Sequence, residues 1–193
     1  MNIKSLLLVL LIVCFSCQND NKERLVEQKK EAKKKETIFN NINNGWIFNI
    51  LPVDPTTQSK INKWTEWRNF LSEINQKPKS SISAFQKKAS VLSKKAVELN
   101  NNIPKEFNKP QVRSRIMVVI TKIKSVDLFI HLNQIPDTKI IKLVGDLNME
   151  IQYLQLQMEE IVRRSQIPIE EGEEDIVKMK DTTRAIPNTK ILQ

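Results

Sequence analysis

Apolar residues recur every three or four positions along most of this chain, and the prolines fall between these runs rather than inside them. Such spacing places the apolar side chains on one face of an α-helix, and a proline ends a helix because its nitrogen carries no hydrogen. Four runs follow one another from residue 54 onward, and no strand-like alternation competes with them. The sequence therefore predicts an all-α fold, an antiparallel up-down four-helix bundle.

Each of the four predicted helices has a continuous apolar face. Asp54 and Pro55 open the first helix, because aspartate caps a helix N-terminus and proline suits the first helical position. The third helix carries apolar residues on more than one face, which predicts that it is the most buried of the four. In chain order, the faces are Ile61, Trp64, Trp67, Phe70, Leu71 and Ile74; Ile82, Phe85, Ala89, Leu92, Ala96 and Leu99; Val112, Ile116, Val119, Ile123, Val126 and Ile130; and Ile140, Val144, Leu147, Ile151, Leu154, Met158 and Ile161.

Two apolar features lie outside these faces. A segment from Trp46 to Leu51 precedes the bundle, and a stripe of three residues lies on the outward side of the fourth predicted helix. Either the segment docks over the stripe and closes the domain, or one of the two stays exposed as a surface that binds a partner. The candidate partner-binding residues are Met149, Tyr153 and Leu156 of the stripe, with Trp46 and Phe48 of the segment.

The N-terminus has the pattern of an export signal. Lys4 precedes an apolar run from Leu6 to Phe15, which is about half as long as the ~20 residues that a membrane-spanning helix needs. The run ends in Ser16-Cys17, a small residue directly before a cysteine, and polar residues follow. These features resemble the precursor of a bacterial lipoprotein, of the kind found in Bacteroidota, with spirochaetes as the second possibility.

The resemblance implies that Cys17 is lipidated and becomes the first residue of the mature protein. Together with the composition and apolar spacing of the rest of the chain, it predicts a division into four parts. These are a signal peptide over residues 1–16, a charged tether over residues 17–44 that begins at the lipidated cysteine, a helical bundle over residues 45–167, and a flexible polar tail over residues 168–193.

The residue after the lipidated cysteine bears on the location. Gln18 is not the aspartate that retains such lipoproteins in the inner membrane of enteric bacteria, so the resemblance implies an outer-membrane lipoprotein. The few acidic residues after Cys17 agree with either the periplasmic or the cell-surface face. A lipid anchor outside the cytoplasm removes nucleic acid as a partner, although the chain is basic, with a formal net charge of +9.

Composition argues against most enzyme classes. With 3 Gly, 1 His and 2 Cys, the chain lacks the parts of a glycine-rich phosphate site, a multi-histidine metal site or a disulfide framework. His131 lies one turn after Asp127, and an isolated histidine–aspartate pair on a helix is more often structural than catalytic. The acidic run Glu170–Asp175 lacks the ligand spacing of a calcium loop. We therefore expect no catalytic residues, no metal site and no cofactor.

Two functions agree with these features. The leading interpretation is a lipid-anchored, non-catalytic helical module of the cell envelope that docks onto other envelope proteins, as an accessory subunit of an outer-membrane complex. The alternative is a helical carrier of a small ligand or lipid, with an internal cavity beside the third predicted helix, near Met117 and Phe129.

Lipidation of Cys17 is directly testable. Replacing Cys17 by Ala removes the thiol that takes the diacylglyceryl group, so the variant should accumulate as an unprocessed precursor of higher mass. Metabolic labelling with palmitate should mark the natural chain and not the variant. Equal labelling of the two would contradict the prediction.

Overall fold

The computed structural model describes residues 19–168, and these residues form six α-helices and no strand. The all-α prediction is confirmed for this range, and none of these helices is long and apolar enough to cross a membrane. The predicted signal peptide, Cys17 and residues 169–193 lie outside the described residues. The helices are α1 (Asn19–Gly45), α2 (Pro55–Ile61), α3 (Thr65–Ile74), α4 (Ile82–Glu98), α5 (Pro110–Ile130) and α6 (Asp137–Ser165).

The first predicted helix is divided into two, which corrects the expectation of one continuous helix. Helix α2 ends at Ile61 and α3 begins at Thr65, with the backbone of Trp64 extended between them. This break lets the buried indole of Trp64 donate a hydrogen bond from Nε1 to the carbonyl oxygen of Asn101, at 3.1 Å, and stack on Trp67. A buried indole N–H without an acceptor would be costly, so the break has a clear energetic reason.

The start of α2 is as the sequence predicts. Asp54 caps the helix, because its Oδ1 accepts a hydrogen bond from the backbone N–H of Thr57 at 2.9 Å, and Pro55 is the first helical residue. The hydrogen bonds from Thr57 lower the pKa of the Asp54 carboxyl below its ordinary value. The cap is therefore formed by the ionised carboxylate at neutral pH.

Helices α3, α4, α5 and α6 pack in chain order, and each contacts the one before it. Helix α3 has 10 residues whereas α6 has 29. Because α3 is so short, these two helices leave the side of the body between them open. Polar side-chain contacts link successive elements of this body: Glu66–Asn102 and Glu73–Lys88, Gln86–Ile130 and Ser90–Asp127, and Arg115–Glu150 and Lys122–Asp146.

The open side is filled by the end of α1 and the extended segment that follows it, which run parallel to α6. Gly45 permits the close approach, since a Cβ at this position would come within 2.5 Å of the Ile141 side chain. Ile42 is completely buried, and Trp46 and Phe39 pack their rings edge-on against Phe85 of α4. The hydrophobic core therefore begins before the expected boundary at residue 45, because the last turns of α1 belong to it.

The rest of α1 is exposed. Every side chain from residue 22 to residue 37 is solvent-exposed, and packing against the body begins at Ile38. The predicted tether over residues 17–44 is therefore helical from Asn19 onward, and only its end is packed.

The predicted apolar faces of α4, α5 and α6 line the core. All of their members are buried except Ile82 and Ile161, which lie half-buried at its edge. The second apolar face that the sequence predicts for α5 is not buried, because Met117, Val118 and Leu128 are exposed on its outer side. One face of α5 packs and the other meets solvent, as on its neighbours.

The contribution of α1 to stability can be measured by truncation. A fragment of residues 45–168 loses the buried Ile42 and the half-buried Ile38 and Phe39, so it should be less stable than a fragment of residues 37–168 by about 3 kcal/mol or more. Urea unfolding followed by circular dichroism measures the difference. A fragment of residues 22–168 is the control and should match the fragment of residues 37–168, since residues 22–37 make no packing contact. Equal stability of all three would contradict the packing of α1.

Candidate functional site

The apolar stripe on α6 is open to solvent. Met149, Tyr153 and Leu156 are 49%, 44% and 49% exposed, and they lie on the side of α6 that faces away from its buried residues. The segment from Trp46 to Leu51 thus leaves the stripe uncovered. Of the two interpretations of the sequence, the structure agrees with the one in which the stripe is free.

The segment docks beside the stripe instead, and polar side chains of α6 hold its backbone. Asn148 accepts a hydrogen bond from the backbone N–H of Asn49 and donates one to the carbonyl oxygen of Ile47, at 3.0 and 2.7 Å. Further along, the buried Gln155 donates to the carbonyl oxygen of Leu51 at 2.9 Å, and Glu159 accepts from the backbone N–H of Asp54 at 2.7 Å. These bonds satisfy backbone groups of the extended segment, which has no neighbouring strand to pair with.

These three polar residues of α6 are structural residues that the sequence did not reveal. Asn148, Gln155 and Glu159 are spaced seven and four apart, which places them on one line along the helix, next to its buried face. The feature of the sequence that could have revealed these residues is a line of polar residues beside the apolar face of the helix. It is a weak signal, because solvent-exposed positions of ordinary helices have the same composition.

Two predicted partner-binding residues are not available at the surface. Trp46 is only 2% exposed, with its ring 5.2 Å from that of Phe85 and 5.8 Å from that of Phe48. Phe48 is half-buried against the core. Both residues were candidates because they are aromatic and lie outside the helical pattern. The packing of the rings on one another gives them a structural role instead.

Helix α5 extends the exposed face beside the stripe. The guanidinium of Arg115 lies 5.2 Å from the centre of the Tyr153 ring and 3.7 Å from the Glu150 carboxylate. Two turns along, Lys122 pairs with Asp146 at 2.8 Å. The exposed Met117 and Val118 lie on the outer side of α5, and the ion pairs Arg115–Glu150 and Lys122–Asp146 lie between α5 and α6.

Clefts at both ends of the body differ in lining. At the end from which α1 projects, a groove of about 530 Å³ has an apolar floor, and its lining includes Ile38, Phe39, Ile82, Leu132 and Ile135. At the other end, a cleft of about 660 Å³ is lined mainly by polar and charged residues of α2, of the loop before α5, of the start of α5 and of the last turns of α6. Neither is the cavity predicted beside Met117 and Phe129, since Met117 is exposed and Phe129 has the Lys139 ammonium 3.7 Å from its ring centre.

The ionisable groups form structural contacts. His131 has Nδ1 2.7 Å from the backbone oxygen of Asp127, whose carboxylate accepts a hydrogen bond from Ser90. Hydrogen bonds from Arg164 and Arg163 lower the pKa of the Glu160 carboxyl. Between residues 19 and 168, no cluster of three or more His, Cys, Asp and Glu side chains is arranged to hold a metal ion.

Substitutions on the segment should lower the stability of the protein much more than substitutions on the stripe. Trp46→Ala leaves a cavity beside Phe85 and should cost about 3 to 5 kcal/mol of the free energy of unfolding. Leu156→Glu adds a charge at a half-exposed position and should change it by no more than about 0.5 kcal/mol. Chemical unfolding of the two variants beside the natural chain measures this. A large loss in Leu156→Glu would mean that the stripe is packed.

The comparisons with known proteins returned no match: no protein-family model, no curated protein and no solved structure is significantly similar to this chain.

Proposed function

We propose that this chain is a lipid-anchored, non-catalytic helical module of the cell envelope that docks onto other envelope proteins, as an accessory subunit of an outer-membrane complex. In this proposal α3 to α6 form an antiparallel bundle that presents a binding face. The observation that carries the proposal is the exposed apolar stripe on α6, with Met149, Tyr153 and Leu156 each about half exposed on a body whose core is otherwise filled.

The stripe has the composition of a protein-binding surface. Tyrosine, methionine and arginine are enriched in protein interfaces, and tyrosine and arginine are frequent among the residues that dominate binding energy. Arg115 lies over the Tyr153 ring and is also paired with Glu150, so the two side chains are held in place before any partner arrives. Binding then costs less side-chain entropy than it would for mobile side chains.

The anchor in this proposal is Cys17, which is separated from the first residue of α1 by Gln18 alone. The exposed part of α1 from Lys22 to Thr37 is about 23 Å long at a rise of ~1.5 Å per residue. It carries a basic run, Lys29-Lys30-Glu31-Ala32-Lys33-Lys34-Lys35, and basic residues are attracted to anionic head groups near a bilayer. Helix α1 therefore serves as the link between the outer membrane and the body.

A second candidate function, a carrier of a small ligand or lipid, has one observation in its favour. The groove between α1, α4 and the loop before α6 has a volume of about 530 Å³, which falls in the range of small-molecule sites. Its apolar floor suits a hydrocarbon chain. The groove is open to solvent rather than enclosed, which favours the docking module over the carrier.

The docking proposal predicts that charges placed on the stripe prevent partner binding without unfolding the protein. Leu156→Glu and Met149→Glu should each abolish the co-purification of envelope proteins that accompany the natural chain from detergent-solubilised membranes. Val91→Glu is the matched control, because Val91 is an exposed apolar residue on α4, away from the stripe, and its substitution should keep every partner. Circular dichroism of all variants should show the same melting temperature.

A stripe variant that melts normally and retains all partners would overturn the proposed role of the stripe. Loss of partners in Val91→Glu as well would show that binding follows overall charge rather than this surface. If the purified natural chain instead carries a bound lipid, as seen by mass spectrometry after organic extraction, and has no protein partner, the carrier is the better account.

A further inference from the structure

The charged side chains of α1 fall on different sides of the helix. At 3.6 residues per turn, four lysines lie within an arc of about 100° that contains no acidic residue. Glu23, Glu27 and Glu31 follow a separate line at intervals of four residues, and Glu36 lines the groove at the end of the body. We call the side with the four lysines the lysine face; its members are Lys22, Lys29, Lys30 and Lys33.

The lysine face points away from the body. The residues of α1 that pack on the core, Ile38, Phe39 and Ile42, lie on the opposite side of the helix, which is continuous from Asn19 to Gly45. Where α1 packs, the side that continues the lysine face stays exposed, at Asn40 and Asn44. A flat surface along the lysine face therefore approaches α1 from the side that the body leaves free.

The lysine face is not neutralised within the described part of the chain. All four lysines are solvent-exposed, and no carboxylate of residues 22–168 lies within 4.0 Å of their ammonium groups. Like charges four residues apart, as at Lys29 and Lys33, disfavour a helix in water. A layer of anionic groups outside the chain would relieve this repulsion and favour the helix.

We propose that α1 lies lengthwise on an anionic bilayer, with the lysine face against the lipid head groups. The inference rests on the lipid anchor of the proposed function: Lys22 comes five residues after Cys17, so the anchor brings the face to a bilayer. From Lys22 to Lys33 the face extends over about 17 Å of helix. Because the end of α1 runs parallel to α6, the long axis of the body then lies along the membrane instead of standing away from it.

Acylation by a water-soluble amine reagent tests this on the purified full chain in vesicles of phosphatidylcholine and phosphatidylglycerol. Mass spectrometry of the digest gives the rate at each lysine. Contact with head groups should slow the acylation of Lys29 and Lys33 several-fold relative to the same chain in non-ionic detergent. Lys35 is the matched control, because it is exposed and lies two residues from Lys33 on the opposite side of the helix. Its rate should change much less.

Two conditions make the test specific. Vesicles of phosphatidylcholine alone, or roughly 1 M salt, should remove the protection, because each abolishes the attraction between lysines and anionic head groups. The double variant Lys29→Gln, Lys33→Gln should lose affinity by about fivefold per lysine, so the acylation rate of Lys30 should rise several-fold. The double variant Arg24→Gln, Lys35→Gln removes the same charge from the opposite side and should leave Lys30 protected.

Three outcomes would overturn the proposal. The first is an equal change of rate at Lys33 and Lys35 in anionic vesicles, and the second is equal protection in phosphatidylcholine alone. The third is protection in membranes of cells that make the chain but not in vesicles, which would assign the lysine face to an acidic protein.

Failure of this inference is distinguishable from failure of the proposed function. The mass of the intact chain reports the lipid on Cys17 separately, and a chain without lipid can be tested in the same way with added anionic vesicles. Loss of the anchor and loss of the lysine contact therefore give different results. Partner binding at the stripe is measured by co-purification, which none of these rates affects.

Discussion

The burial of Trp46 beside Phe85 joins the N-terminal part of the chain to the helices that follow it, and the shape of the body depends on this contact. Helix α3 is too short to cover the side of α6, so the core would be open there without the end of α1 and the segment after it. An aromatic ring of this size buries more apolar area than any other side chain. Asn148 and Gln155 then satisfy the backbone of the segment, which lies on a helix rather than in a sheet.

The same arrangement explains why the stripe on α6 remains free. A helix of 29 residues that is covered on one flank by α5 and on the other by the segment has one side left, and Met149 and Leu156 occupy that side. The segment cannot move over them without exposing Trp46 and breaking its bonds to Asn148. The docking surface that we propose is thus exposed because the segment after α1 covers a flank of α6 and not the stripe.

The helices were largely predictable from sequence, because apolar spacing reports directly on which residues are buried. The buried faces of α4, α5 and α6 agree with the predicted faces almost residue by residue. The break at Trp64 was not predictable, since it depends on an acceptor at Asn101 that is distant in sequence. The roles of Ile42 and Trp46 were missed for a similar reason. A charged helix with only a few apolar residues at its end has no local sign that those residues have a partner, and here the partner is Phe85.

The parallel course of α1 and α6 has a mechanical consequence. The exposed part of α1 leaves the body at one end, while the described chain ends at Pro168 at the other. A force applied to the N-terminal end of α1 along its axis would act on the contacts with α6 in shear, so that Gly45 against Ile141 and the bonds to Asn148 would carry the load together rather than in succession. A body held in this way can be pulled by its N-terminal helix without being peeled apart from one end.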